Sequence, residues 1–231
     1  MKGLSVIVPA LDEAGAISEH LQTLAPLRAR GAEVIVVDGG SQDATIIHAR
    51  GAADRVLAAE RGRASQMNAG ARAAIGDILL FLHADCRLPA AADHLVRDAL
   101  STGGRVWGRF DVRIEGGHRL LAVIAAFMNR RSRLTGIATG DQAIFVTREA
   151  FDAAGGYPDI QLMEDIALSR RLKRLSRPAC LKARVTASGR RWERHGVLRT
   201  VLTMWRLRLA FFLGADPRAL ARAYGYRPRD A

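Results

Sequence analysis

The chain has 231 residues, 49% of them hydrophobic and 25% charged, which suits one large domain or a domain with an appendage and excludes a disordered or fibrous class. Its two cysteines, Cys86 and Cys180, exclude a disulfide framework or a paired-thiolate metal site and suit a reduced cytoplasmic setting. The net charge of +12 is uneven: residues 170–231 hold 17 Lys+Arg against 3 Asp+Glu, whereas the first 169 residues hold 18 against 20. A basic tail of this kind attracts nucleic acid, anionic lipid or a phosphorylated substrate, or is simply solvated.

Residues 4–8 predict a first strand, which meets Pro9 without the apolar core or cleavage site of a signal peptide. Ile17, Leu21 and Leu24 recur at helical spacing until Pro26 interrupts them, and residues 33–37 predict a second strand. A third strand is expected near residues 55–58, a helix over 64–74 and a fourth strand over 78–82. Strands alternating with helices mark βαβ units, so the sheet is expected to be parallel and buried on both faces. From 105 to 115, Val106, Gly108, Phe110, Val112 and Ile114 alternate with Trp107, Arg109, Asp111 and Arg113, which predicts a half-exposed strand. Helices are expected over 118–133, 165–175 and 197–213, a strand over 142–146, and a last short helix after Asp216-Pro217. No stretch reaches the roughly 20 apolar residues of a membrane span. Residues 197–213, with Trp205, Leu207, Leu209, Phe211, Phe212 and three arginines, suit an interfacial helix or one packed on the sheet.

Ligands of open α/β sheets bind outside the carboxyl ends of strands, and several polar residues fall there. Asp38 follows the second strand and precedes Gly39-Gly40-Ser41, where its carboxylate either accepts hydrogen bonds from a base or ribose or only supports the turn. His83-Ala84-Asp85 follows the fourth strand; a carboxylate there can hold Mg²⁺ or Mn²⁺ against a diphosphate, and His83 is either a contact or structural. Arg63 opens a helix whose N-terminus also favours an anion. Glu164-Asp165 opens another, and spacing alone does not choose between a helix cap and a base for an acceptor hydroxyl. The chain has neither a GxxxxGK[ST] loop nor a GxGxxG after the first strand, against a P-loop NTPase or an ordinary dinucleotide dehydrogenase.

In order, Val6-Ile7-Val8-Pro9-Ala10-Leu11-Asp12-Glu13, Val36-Val37-Asp38-Gly39-Gly40-Ser41-Gln42-Asp43, Gly62 to Gly70, Phe81-Leu82-His83-Ala84-Asp85 and Glu164-Asp165 resemble family 2 glycosyltransferases. The resemblance covers most of the chain and implies the α/β GT-A fold, a Rossmann-like, mostly parallel central sheet flanked by helices. Residues 1–189 would form the transferase domain and 190–231 a basic helical C-terminal extension packed on or beside it. It further implies nucleotide contacts from Pro9, Leu11, Glu13, Asp38, Arg63, His83 and Ala84, a metal ligand in Asp85, and a catalytic base in Asp165 beside Glu164. Two positions depart from the family pattern: His83 replaces the first aspartate of the metal motif, and Gly39 replaces the aspartate that usually follows Asp38. Arg190-Arg191-Trp192 looks like a reduced form of the downstream arginine-tryptophan motif, with Trp192 toward the acceptor and Arg191 toward the diphosphate; a basic loop with one packed tryptophan is the other reading. The chain is also similar to a compact branch often described as radical-SAM or selenodomain-associated transferases.

The expected activity is inverting, metal-assisted transfer of a sugar from a nucleoside diphosphate, uridine being the base the family favours. The acceptor is a small molecule or a lipid-linked one, nucleic acid is not an expected partner, and the location is cytoplasmic with peripheral contact at the inner membrane face through the basic segment. Sugar-nucleotide nucleotidyl transfer and nucleic-acid binding are the alternatives.

Overall fold

A computed structural model describes residues 3–226. Runs of valine, isoleucine and leucine become its first strands, because branched side chains pack well on a pleated surface covered on both faces. β1 (Leu4–Ala10) and β2 (Glu33–Asp38) pair in parallel, with Val6 opposite Val34 and Ala10 opposite Asp38. Between them α1 (Ile17–Ala29) buries Ile17, Leu21, Leu24 and Leu27. Pro26 does not end this helix as the sequence suggests. It sits on the exposed side, where the lost backbone bond is left to water while Leu27 keeps the next turn in the core.

After α2 (Thr45–Ala49), β3 (Arg55–Ala58) adds to β2 as an edge strand and is only partly covered, so burial on both faces stops one strand short. α3 (Arg63–Ala73) packs onto β1 and β2, and Gly70 allows the approach, since a Cβ there would overlap Ile7. β4 (Ile78–Phe81) is buried and parallel to β1. β5 (Cys86–Arg87), α4 (Ala92–Ser101), β6 (Trp107–Glu115), α5 (Leu120–Thr135), β7 (Phe145–Thr147), α6 (Arg148–Ala153), α7 (Glu164–Leu172), β8 (Ala179–Ser188), α8 (Arg190–His195), α9 (Val197–Phe212) and α10 (Pro217–Ala223) follow. The strand order is β3-β2-β1-β4-β7-β6-β8-β5, parallel from β3 to β4 and between β6 and β8, antiparallel at β7 and β5.

Two further expectations change in this second half. β6 is buried through most of its length rather than half exposed, because Arg109 and Asp111 pair with each other beneath α5. Arg109 also donates to the Asn129 carbonyl at 3.1 Å, and Arg133 reaches Asp111 at 2.7 Å. The strand expected over 142–146 starts only at Phe145: Thr139 and Gln142 cap a single 3₁₀ turn over Gly140–Gln142, and Ala143 turns the chain at φ 45°. Hydrophobic clusters fill both faces of the sheet, and a third joins Ile137, Leu162, Met163 and Ile166 to Leu207, Leu220 and Ala221 of α9 and α10. Residues 227–231 of the expected C-terminal segment lie outside the described residues. Among the described residues no helix is long and apolar enough to cross a membrane.

Candidate active site

β1, β2 and β4 end on one edge of the sheet, so the loops that follow them are neighbours. The loops after β1 and β2 are tied together: the N–H groups of Asp12 and Glu13 donate to Ser41 Oγ (2.9 Å) and Thr45 Oγ1 (2.8 Å). Asp38 is buried, and its carboxylate accepts from the N–H groups of Gly40 (2.8 Å) and Ser41 (3.0 Å) and from the Ser41 hydroxyl. Gly40 takes φ 90° in this turn. Buried Gln66 of α3 donates to the carbonyls of Ala10 and Val37, both at 2.8 Å, and fixes the start of that helix against the strand ends. A Cβ at Gly39 would come within 3.0 Å of the Gln66 amide, so the short loop and the buried glutamine fit each other.

Beside this edge lies a cavity of about 300 Å³. Arg63 enters it from the start of α3, His83 and Asp85 from the turn after β4, and Asp141 from the 3₁₀ turn. Glu164 and Asp165 enter from α7, Arg191 and Trp192 from α8, and Thr200, Met204 and Arg208 from α9. Seven residues singled out in the sequence therefore share one chamber. Pro9, Leu11, Glu13 and Asp38 sit on the same sheet edge but outside the chamber wall, and Ala84 lines a smaller depression next to it with buried His20. A larger hollow of about 640 Å³ lies elsewhere, with Arg105, Arg133, Lys173 and Arg177 but no carboxylate. Its cations serve the fold: Arg105 and Lys173 bond the carbonyls of Pro178 and Thr135, and Arg133 bonds Asp111.

The ligand atoms of His83, Asp85 and Cys86 lie within 4.8 Å of one another, and His83 Nδ1 is 3.4 Å from Asp141 Oδ1. Burial, reinforced by the Asp85 charge, pushes the Cys86 thiol well up, and a soft thiol is a poor match for Mg²⁺ or Mn²⁺, which prefer oxygen and imidazole donors. What is left is one imidazole with the carboxylates of Asp85 and Asp141 nearby, a donor set that fits Mg²⁺ or Mn²⁺. Gly140 makes room for it, since a Cβ there would overlap the His83 ring.

α7 begins after Met163, whose φ of 69° places it at the N-cap without a side-chain bond. Glu164 and Asp165 thus occupy the first turn and not the cap position, contrary to the capping alternative. Asp165 accepts from the N–H of Gly140 at 2.8 Å and from its neighbour Ile166 at 2.7 Å. Burial, then the Asp165 charge, push the Glu164 carboxyl up to about 7, against the opposing influence of Arg63. Burial alone would weaken the charge of Arg63, but Glu164 first, then Tyr226, Tyr224 and Asp141, outweigh it and push the guanidinium up.

Arg190-Arg191-Trp192 forms the first turn of α8 and not a loop. The Arg191 guanidinium lies 3.6 Å from the Tyr224 ring centroid and donates to the Tyr224 carbonyl at 3.0 Å. Trp192 is half buried and packs against the core. Asp141, Arg208 and Tyr224 also line the cavity and were not singled out in the sequence. Asp141 is one of two polar residues after Gly140, and only the 3₁₀ turn aims it at His83. Arg208 looks like any arginine of a basic helix until α9 folds over the chamber. Near it, Arg131 leaves Nε and one terminal nitrogen buried without a partner, and burial with the Arg208 charge lowers it to about 10.

The model of glycosyl transferase family 2 matches residues 5–152, well over half of the chain. The chain belongs to glycosyl transferase family 2. It carries the family's glycosyltransferase domain in a GT-A fold, and solved structures share that fold. A structure of TarS 1–349 from S. aureus in complex with UDP aligns with a TM-score of 0.65 and 19% identity, covering 81% of this chain and 60% of that one. The complex of the same fragment with UDP-GlcNAc aligns equally well. Glucosyl-3-phosphoglycerate synthase from Mycobacterium tuberculosis, in complex with Mn²⁺, UDP and glucosyl-3-phosphoglycerate, aligns with a TM-score of 0.60 and 23% identity over 80% of this chain and 71% of that one. The chain thus spans about three fifths of the TarS fragment. No curated protein sequence matches it.

Proposed function

We propose that this family 2 glycosyltransferase transfers a sugar from a UDP-sugar to an acceptor hydroxyl with inversion, in a single displacement. The observation that carries the reading is the meeting of the His83–Asp85 turn, Asp141 and the Glu164–Asp165 pair in one cavity at the carboxyl edge of a parallel sheet. The uridine moiety is assigned to the loops after β1 and β2, with Pro9, Leu11, Glu13 and Asp38 on one side and Arg63 on the other. Solved relatives with UDP support the nucleotide, and one with Mn²⁺ supports the metal.

Asp85 and His83, with Asp141 nearby, would hold Mg²⁺ or Mn²⁺, which when bound supplies positive charge to the departing diphosphate. Asp165 is the base. It lines the chamber; the Gly140 and Ile166 N–H groups each bond one of its oxygens and fix its direction, and each oxygen keeps a second acceptor site for the incoming hydroxyl. It takes the acceptor proton as the acceptor oxygen bonds to the anomeric carbon and the bond from that carbon to the diphosphate oxygen breaks. Burial and the Asp165 charge raise the Glu164 carboxyl to about 7 and leave the role of base to Asp165, while Arg63 and Arg191 offset the charge gathering on UDP. Trp192 and Arg208 form the acceptor side.

Mass spectrometry of the full chain incubated with a panel of UDP-sugars and Mn²⁺ tests this. Release of UDP with free sugar in the absence of an acceptor, or with an intact glycosyl adduct in its presence, is expected. Release of sugar 1-phosphate together with UTP when pyrophosphate is added would mean nucleotidyl transfer and overturn the reading.

A further inference from the structure

α5 and α9 meet at one aromatic contact, the rings of Phe127 and Trp205 with centroids 6.2 Å apart. Each helix buries one face: α5 sets Leu121, Ala125 and Met128 inward, and α9 sets Val197, Thr200 and Leu207 inward. The opposite faces are apolar as well. Leu198, Leu202, Trp205, Leu209 and Phe212 follow one another at helical spacing along the outside of α9, as Leu120, Val123, Phe127 and Leu134 do along α5. Leu202 is 65% exposed, Trp205 56% and Phe127 53%. Single exposed leucines are ordinary, but two stripes joined at an aromatic contact form an apolar surface of the kind that marks an interaction site.

The charges carried by the two helices have one sign, and the nearest carboxylate at the start of α5, Glu193, is engaged by the Gly117 N–H at 3.0 Å. Residues 116–140 and 194–215 contain no Asp or Glu, while Arg119, Arg130, Arg199 and Arg206 are exposed on the two helices or at their ends. A protein partner or a second copy of this chain would have to cover the leucines and answer the arginines together. A second copy brings the same arginines and no carboxylate from either helix. A bilayer with acidic lipids answers both: acyl chains take the leucines and rings, and headgroup phosphates take the guanidinium groups.

We propose that the α5–α9 face docks on the surface of an anionic lipid bilayer. The inner side of α9 supplies Thr200, Met204 and Arg208 to the cavity wall, so one helix connects the bound surface to the chamber. This inference goes beyond the assigned chemistry and stands independently of it, because binding is read without turnover.

The test is flotation of the full chain with vesicles of phosphatidylcholine alone and of phosphatidylcholine with phosphatidylglycerol, at low and high salt. Binding is expected only with phosphatidylglycerol, weakened by salt, together with a blue shift of tryptophan emission. That shift belongs to Trp205, since Trp107 is buried and Trp192 half buried, and Trp205→Phe should abolish it while leaving most of the binding. The pairs Leu202→Ser with Leu209→Ser, and Arg199→Gln with Arg206→Gln, should each weaken binding on the order of tenfold or more. All four side chains are exposed, so the melting temperature should hold and a lost interaction can be told from a lost fold. Absence of binding to the anionic vesicles at low salt would overturn the proposal. So would full binding by the leucine pair, which would reduce the effect to charge alone, or a stable dimer that the leucine pair dissociates.

Discussion

Glu164→Gln removes a charge that the fold disfavours. The carboxyl is 4% exposed, and burial with the neighbouring Asp165 raises it from 4.5 to about 7. A carboxyl that holds its proton more tightly folded than unfolded makes its full contribution below about pH 4.5 and loses it as the pH rises through about 7. At 1.36 kcal/mol per unit, the wild type should lose roughly 2–3 kcal/mol of stability between pH 5 and pH 8 that the glutamine variant keeps. In a chain of this length that corresponds to roughly 5–10 °C in melting temperature. The variant should therefore melt close to wild type at pH 5 and clearly above it at pH 8, measured by scanning fluorimetry across that range. Asp165→Asn is the internal control, because removing the second cause of the shift should flatten the wild-type pH dependence. A melting difference between Glu164→Gln and wild type that is the same at pH 5 and pH 8 would refute the reasoning, and with it the argument that burial and Asp165 raise the Glu164 carboxyl.

Three further outcomes are expected. Asp165→Asn should lower turnover about 10²–10⁴-fold with UDP affinity retained, since a base acts in the transition state; a near-normal rate in steady-state assays would contradict the role. Gly140→Ala should push the His83 ring off its place near Asp141 and raise the Mn²⁺ concentration needed for half-maximal activity, while an unchanged metal titration would remove His83 from the metal set. Asp38→Ala should free the Gly40-Ser41 turn and weaken UDP binding by about 1–3 kcal/mol, and calorimetry showing unchanged affinity in a folded variant would contradict its assignment.

The first half of the fold was legible because each of its central strands is a short aliphatic run and α1 repeats Ile17, Leu21 and Leu24 at helical spacing, whereas the five-residue α2 leaves no such pattern. The second half was less so. β8 carries Lys182 and Arg184, and its pairing with β6 skips two residues between Leu181 and Arg184, so alternation breaks where the strand is strongest. β6 showed its alternation, but its polar side could not be known as buried without α5, whose Asn129 and Arg133 complete the Arg109–Asp111 pair. At the site, His83, Asp85, Glu164 and Asp165 were readable because motifs place them at strand and helix ends. Asp141 and Arg208 were not, since their roles come from a single 3₁₀ turn and from the path of α9 across the cavity, neither of which leaves a local pattern.

Calorimetric titration of UDP into the full chain, with and without Mn²⁺ and repeated on Asp85→Ala, tests the central claim most directly. The account predicts one UDP per chain, affinity that depends on Mn²⁺, and loss of that dependence in Asp85→Ala. Failure of UDP to bind in the presence of Mn²⁺, or a gain in affinity with Mn²⁺ that is as large in Asp85→Ala as in the wild type, would contradict the assignment of this cavity.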